Sequence, residues 1–174
     1  MSAENIYIRA LTPDDWQDLR TIRIRAVKKH TNVFLADPKD TEDKPKEHWQ
    51  DVSGDKQVFG LFDDQTLIGI TGVFTWREDP DGHTGIMAMS YIEPAYRGKG
   101  YSALLYKARI DFSLEYKPWV KLRVSHRAGN EASRRAMIKH GFKLIGQKEI
   151  NWPDGTRDLE YQYELDLKAL RTAS

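Results

Sequence analysis

Six consecutive residues, Arg97-Gly98-Lys99-Gly100-Tyr101-Ser102, carry the densest chemical signal in the chain. Two cations and two glycines stand before a helix-period stretch that places Tyr101, Leu104, Leu105, Ala108 and Phe112 on one face. A helix N-terminus presents unpaired N–H groups and a positive partial charge. Glycines let an anion approach those N–H groups closely, at a cost in backbone entropy. The combination is an anion cradle, and phosphate is the anion it suits best. It is not a P-loop, because G-x-x-x-x-G-K-[ST] is missing, nor a dinucleotide fingerprint, because G-x-G-x-x-G is missing. A plain helix start with a surface Arg and Lys would give the same six residues, so this stretch alone leaves both readings open.

A cradle needs a strand to deliver the chain and a helix to receive it. "IMAMSYI" is apolar on both faces and reads as a buried central strand. The helix is expected from about Gly98 to Glu115. Upstream, "IYIRAL" alternates Ile6 and Ile8 as a first strand, and "TPDD" opens a helix that ends near His30. On that helix Trp16, Leu19, Ile22 or Arg23, Ala26 and Val27 keep a helical spacing. Residues 31–45 read as irregular, followed by a short helix around "KEHWQDV". "QVFGLF" and "TLIGITGVFTW" form a hairpin around "DDQ", and "REDPDGHTG" is the next turn. Downstream, "WVKLRVS" is a strand, "NEASRRAMIKH" a helix stopped by Gly141, and "FKLIGQKEI" and "DLEYQYELDL" two strands around "NWPDGTR". The order β α (α) β β β α β α β β is an α/β layer of mixed sheet and helices.

The composition sets bounds. The 174 residues suit one domain over 1–174, with 40% hydrophobic and 30% charged residues and a net charge of +1. No apolar run approaches the ~20 residues of a membrane helix, and near-neutral charge gives no general nucleic-acid surface. Cysteine is absent, which removes disulfides, thiolate catalysis and Cys-metal sites. No secretory signal is visible at the N-terminus, so the cytoplasm is the expected compartment. No metal is expected.

The segment "SYIEPAYRGKGYSALLYKA" resembles the acetyl-CoA motif of the GCN5-related N-acetyltransferase (GNAT) superfamily, Arg/Gln-x-x-Gly-x-Gly/Ala after an apolar-x-Pro strand end. Arg97, Gly100 and Ser102 occupy the marked positions after Ile92-Glu93-Pro94, with Ser102 replacing the usual Gly or Ala. "NEASRRAMIKHGF" is similar to a second stretch of that family, matched by Asn130, Ser133 and Gly141-Phe142. The resemblance implies a mostly antiparallel sheet flanked by helices, splayed between its central strands. It implies that Arg97 and the turn formed by Gly98, Lys99, Gly100, Tyr101 and Ser102 hold the coenzyme A pyrophosphate. Backbone groups near Tyr91 and Ile92 would meet the pantetheine amides as an added strand does. Asn130 would bond the pantetheine arm, with Ser133 in the same set.

The implied reaction is acetyl transfer from acetyl-CoA to an amine-bearing acceptor by direct attack. Such a reaction needs a proton acceptor for the amine and a donor for the leaving thiolate. The inward positions of the central strand are expected to be Ile86, Ala88 and Ser90, and none is a strong base. Glu93 reads as a solvated turn residue, and His83 as part of its turn. Many relatives carry a Tyr seven residues after the Asn; here that position is Met137, which donates no proton. His126 and Ser133 are the remaining catalytic candidates. Trp49, Trp152, Asp37, Asp40, Glu42, Asp43, Asp154 and Asp158 are expected to border the acceptor, an environment suited to a cationic amine or equally to solvated loops. The rival readings are a catalytically weak acyl-CoA-binding or sensing domain and a phosphate- or nucleotide-binding module. A homodimer is compatible with the family; nucleic acid and membrane are not expected partners.

Overall fold

The computed structural model of the protein describes residues 4–51 and 55–173. Val52, the last residue of the expected "KEHWQDV" helix, lies outside them, as do the first three residues of the N-terminal segment. The elements are β1 (Ile6–Ala10), α1 (Trp16–Lys29), α2 (Pro38–Glu42), α3 (Lys46–Gln50), β2 (Lys56–Asp63), β3 (Thr66–Thr75), β4 (Thr84–Ile92), α4 (Ser102–Glu115), β5 (Lys121–Arg127), α5 (Glu131–Lys139), β6 (Lys143–Asn151), β7 (Arg157–Asp166) and α6 (Leu167–Ala173).

The strands form one seven-stranded sheet in the order β1-β2-β3-β4-β5-β7-β6. Every pairing is antiparallel except β4 with β5. Alternating side chains send the two strand faces to different helices. Val58, Ile70 and Tyr91 pack with Leu19, Ile22 and Ala26 of α1, whereas Leu61 and Ile68 pack with Leu105 of α4. Beside them a third cluster joins Val73, Met87, Trp119, Leu122 and Leu165. Trp119 is fully buried and its indole N–H donates to Thr75 Oγ1 at 2.9 Å.

Four local outcomes differ from expectation. Residues 38–42, read as irregular, form α2, whose N-cap Asp37 accepts the Asp40 N–H at 2.9 Å. The first helix opens as a 3-10 turn over Pro13–Asp15, because Asp15 Oδ2 accepts the Thr12 N–H at 2.7 Å and ties the chain back before α1 begins. The helix expected from Gly98 starts at Ser102, since Gly98 and Gly100 hold φ of +76° and +83°, outside the helical range. The last strand stops at Asp166, and Leu167 begins α6. Arg171 of α6 donates to the carbonyls of Ser113, Leu114, Tyr116 and Trp119, satisfying acceptors at the end of α4. No helix among the described residues is long and apolar enough to cross a membrane.

Asp15 also pairs with Arg9 at 2.8 Å, and this hydrogen bond above all pulls its carboxyl from 3.8 to about 2. A depressed carboxylate stabilises the fold above its unfolded value and loses that contribution as pH falls toward the folded one. The pair lies at the surface, where solvent screening leaves about 0.2–1 kcal/mol. Arg9→Met is therefore expected to reduce the fall in stability between pH 3.8 and about 2, read by urea denaturation. An unchanged acid limb would remove the pair from the acid response.

Candidate active site

The cleft arises where β4 leaves β5. The two strands pair only at Thr84↔Lys121, Gly85↔Leu122 and Ile86↔Arg123, and then diverge. The same region of β4 carries a bulge against β3: Gly72 faces Ala88 and Ile70 faces Tyr91, so β4 has one residue more than its partner. Met89 takes the left-handed conformation, φ +65°, within that bulge. A β-branched or bulky residue pays strain there, and bulges re-aim backbone groups. The splay opens a cavity of about 460 Å³ lined by Ile86 to Ser90, by Val124 to Arg127, by Ser102, Leu105, Tyr106 and Arg109 of α4, and by Asn130, Ser133 and Met137 of the α5 region. Ile86, Ala88 and Ser90 all lie in its wall. Ser90 Oγ is 2.7 Å from Thr71 Oγ1.

The glycine turn stands beside this cleft, at the start of α4. Among the described residues, the amides of Gly98, Lys99, Gly100, Tyr101 and Ser102 have no hydrogen-bond acceptor. A Cβ added at Gly98 or Gly100 would meet nothing within 4 Å, so both glycines face open space. This is the geometry an anion cradle needs, and it fits a pyrophosphate. The flanking cations are partly engaged. Arg97 Nε donates to the Ile92 carbonyl at 2.7 Å and its guanidinium lies 5.3 Å from the Tyr91 ring centroid. Lys99 and the Tyr101 hydroxyl both bond the Glu4 carboxylate. That contact pushes the Tyr101 phenol up to about 12. Tyr91 itself is buried, with its hydroxyl on Glu93; its side chain serves the core and its backbone is paired with Ile70 of β3.

Asn130 lies at the cleft as the N-cap of α5, its Oδ1 accepting the Ser133 N–H at 3.2 Å. Its amide nitrogen has no partner among the described residues and remains available. Asn130→Ala should weaken acetyl-CoA binding by about 1 kcal/mol, the net worth of one hydrogen bond, and cost a similar amount of stability through the lost cap. Calorimetric affinity equal to that of the unmodified protein would remove Asn130 from the site.

His126 is buried in the cleft wall with both ring nitrogens engaged. Nδ1 is 2.8 Å from the Arg127 carbonyl, which can only accept, so Nδ1 carries the proton. Nε2 then accepts from the Tyr163 hydroxyl at 3.0 Å. With both nitrogens engaged, the ring has no N–H left for a thiolate. His126→Ala should leave Tyr163 unpaired and cost about 1–3 kcal/mol of stability, with kcat little changed; a kcat loss at constant stability would make His126 the donor. Ser133 also lines the cleft, and its hydroxyl bonds no described residue. Glu93 is held by Arg25 of α1 and by Tyr91, so it is more constrained than a solvated turn residue.

The residues that sequence reasoning passed over are Arg23, Tyr106, Arg109 and Glu160, all in the cleft wall. Arg109 is 2% exposed and its guanidinium sits 4.8 Å over the Tyr106 ring. Burial lowers its pKa to about 10. Burial raises the Tyr106 phenol, with Arg109 opposing, and the Tyr106 hydroxyl has no partner among the described residues. Tyr106 stacks on His140 at 4.2 Å and shares a core cluster with Met137. Glu160 accepts from Ser125 and Gln162, each at 3.1 Å, and is 8% exposed. Charged residues at Leu105-plus-four and on the apolar stripe of the first helix were the readable signals for Arg109 and Arg23.

A second, larger cavity of about 800 Å³ opens on the other side of β4, between α1–α3 and the β3–β4 turn, with Trp49, Phe74 and Asp40 in its wall. The two cavities share Arg23, Ala36, Ala88 and Met89, so they meet at the bulge. Most of the acids expected around the acceptor are consumed locally. Asp37 caps α2, Asp43 pairs with Lys39 and Glu42 with Lys28. Asp154 and Asp158 both pair with Arg127, at 2.7 and 3.1 Å. Trp152 borders the first cavity rather than the second.

The family model for the acetyltransferase (GNAT) domain matches residues 5–143. The chain belongs to the GNAT acetyltransferase family. Among solved structures, this GNAT chain is similar to an N-acetyltransferase from Staphylococcus aureus Mu50, with 24% identity, TM-score 0.75 and coverage of 94% of this chain and 99% of that one. It is similar to a GNAT-family acetyltransferase from Streptococcus pneumoniae, at 17% identity and TM-score 0.76 over 93% and 99% of the two chains. A Salmonella typhimurium structure with acetyl-CoA as cofactor is 21% identical, with TM-score 0.75 over 94% of each chain. At these identities the likeness is one of fold. A search of curated proteins found no match. The mostly antiparallel sheet with splayed central strands is thus the GNAT architecture, as the two motifs led one to expect.

Proposed function

We propose that this GNAT domain transfers the acetyl group of acetyl-CoA to a primary amine by direct attack. The observation that carries the reading is the junction of two cavities at the β4 bulge, one reached from the glycine turn and the other open to an acceptor. Acetyl-CoA supplies the activated acyl carbon. The amides of residues 98–102 and the N-terminus of α4 hold its pyrophosphate. Arg97 braces the turn against the end of β4 rather than standing free. Asn130 and the diverging edge of β4 orient the arm. The bulge at Met89 and Ser90 aims backbone at the thioester carbonyl, and a preorganised N–H there would stabilise the developing oxyanion. Positioning of amine and thioester contributes much of the rate. No strong base lies at Ile86, Ala88 or Ser90, so the amine enters neutral or loses its proton through water. Glu160, at the cleft wall, can take that proton through Ser125. The Tyr106 hydroxyl is the donor best suited to the leaving thiolate, with Arg109 stabilising the charge.

The test is thiol release from acetyl-CoA across a panel of primary amines, alcohols and water. Amine-dependent release supports the reading. Tight coenzyme A binding without release for any amine would favour the acyl-CoA-sensing alternative, and ATP binding in preference to coenzyme A would favour the nucleotide module.

A further inference from the structure

Arg23 of α1 stands where the two cavities meet, in the wall of both. Its guanidinium lies 5.1 Å over the Phe34 ring. Its Nη1 is shut from solvent and, among the described residues, has no hydrogen-bond acceptor. Burial draws its pKa down to about 10, and no neighbouring carboxylate opposes that shift. Five aspartates line the larger cavity, Asp40, Asp51, Asp55, Asp79 and Asp81; Asp40 pairs with Lys44 at 3.4 Å, Asp79 accepts the amides of Asp81 and His83 and the Thr84 hydroxyl, and among the described residues none of the five pairs with Arg23. The inner end of the acceptor cavity is therefore cationic, although acidic residues surround its mouth.

A buried guanidinium N–H without an acceptor is costly. With a shift of the side chain that uncovers Nη1, the guanidinium fork matches a carboxylate with two parallel hydrogen bonds. Position then narrows the ligand. Arg23 shares Ala88 and Met89 with both cavities, and the amine must reach the acetyl carbon at that same bulge. The anionic group and the reacting nitrogen must consequently be close neighbours in one molecule. A polyamine has no such anion, and a peptide N-terminus carries an amide in its place.

We propose that Arg23 holds the carboxylate of an acceptor whose anionic group adjoins the reacting amine, as in a free α-amino acid. The proposal rests on the acetyl-transfer reading and narrows its acceptor. The acceptor's side chain extends into the larger cavity, toward Trp49 and Phe74.

The experiment compares matched acceptors: L-leucine with leucinamide and L-tryptophan with tryptophanamide, each kcat/KM corrected for its fraction of neutral amine, with spermidine as a third class. The free acids are expected to exceed their amides by tenfold or more, chiefly through KM. Arg23→Met should abolish that preference with acetyl-CoA affinity retained, and Arg23→Lys should restore part of it. Equal corrected kcat/KM for acid and amide, a preference for spermidine, or an acid preference that survives Arg23→Met would overturn the proposal. If Arg23→Met does not fold, the acid-to-amide ratio of the unmodified protein decides. If no amine is acetylated, the transfer reading fails separately. Calorimetry of leucine against leucinamide on the coenzyme A complex then decides for Arg23: acid-selective binding supports it and its absence overturns it.

Discussion

Gly100→Val is expected to lose acetyl-CoA binding by at least about tenfold, roughly 1.4 kcal/mol, in a chain that still folds. Gly100 holds φ +83°, and a Cβ there would meet nothing within 4 Å. The added side chain clashes with no protein atom, so the fold accepts it at a backbone cost of about 1–2 kcal/mol. The space it enters is the approach to the free amides at the start of α4, which the pyrophosphate needs. Circular dichroism separates unfolding from lost binding, and calorimetry with acetyl-CoA reads the affinity. A folded Gly100→Val protein with undiminished affinity would put the cradle elsewhere.

Tyr106→Phe is expected to lower kcat by about 100-fold, the scale of one general acid, with acetyl-CoA affinity nearly unchanged. Its phenol faces the cleft beside Met137, and burial, more than Arg109 relieves, holds its pKa above the ordinary value. A donor with a raised pKa stays protonated as the solution turns alkaline. The acceptor amine, with a solution pKa near ~10.4, becomes neutral over the same range. The rate should thus climb through alkaline pH without a falling limb below about 10. Met137→Phe alters packing alone and should keep most of the activity. Retention of full kcat in Tyr106→Phe would return the donor's role to solvent. Loss of turnover in Met137→Phe, with coenzyme A still bound, would show that position to be more than packing.

The glycine turn and the strand and helix around it were legible because backbone chemistry there depends on residue type: few residues other than Gly adopt φ near +80°. The central position of β4 was legible from its two apolar faces. The bulge was not, because Met89 is an ordinary strand residue by propensity and its left-handed φ is imposed by register with β3. α6 was hidden because Leu165 and Leu167 continue the alternation of β7, and what ends the strand is the docking of Arg171 on α4. Strand alternation alone puts Glu160 on the polar face of β7, yet beside β5 it is buried. Which of the acids named around the acceptor are free was hidden for a related reason. A sequence shows how many carboxylates a loop holds, but not that Lys28, Lys39 and Arg127 already neutralise them.

The measurement that bears most directly on the central claim is product analysis. The protein is incubated with acetyl-CoA and a primary amine acceptor, free thiol is followed, and the acceptor is examined by mass spectrometry with fragmentation. The account predicts one acetyl group on the amine nitrogen for each coenzyme A thiol released. Thiol release unmatched by acetylated amine, or an acetyl group found on oxygen, would contradict it.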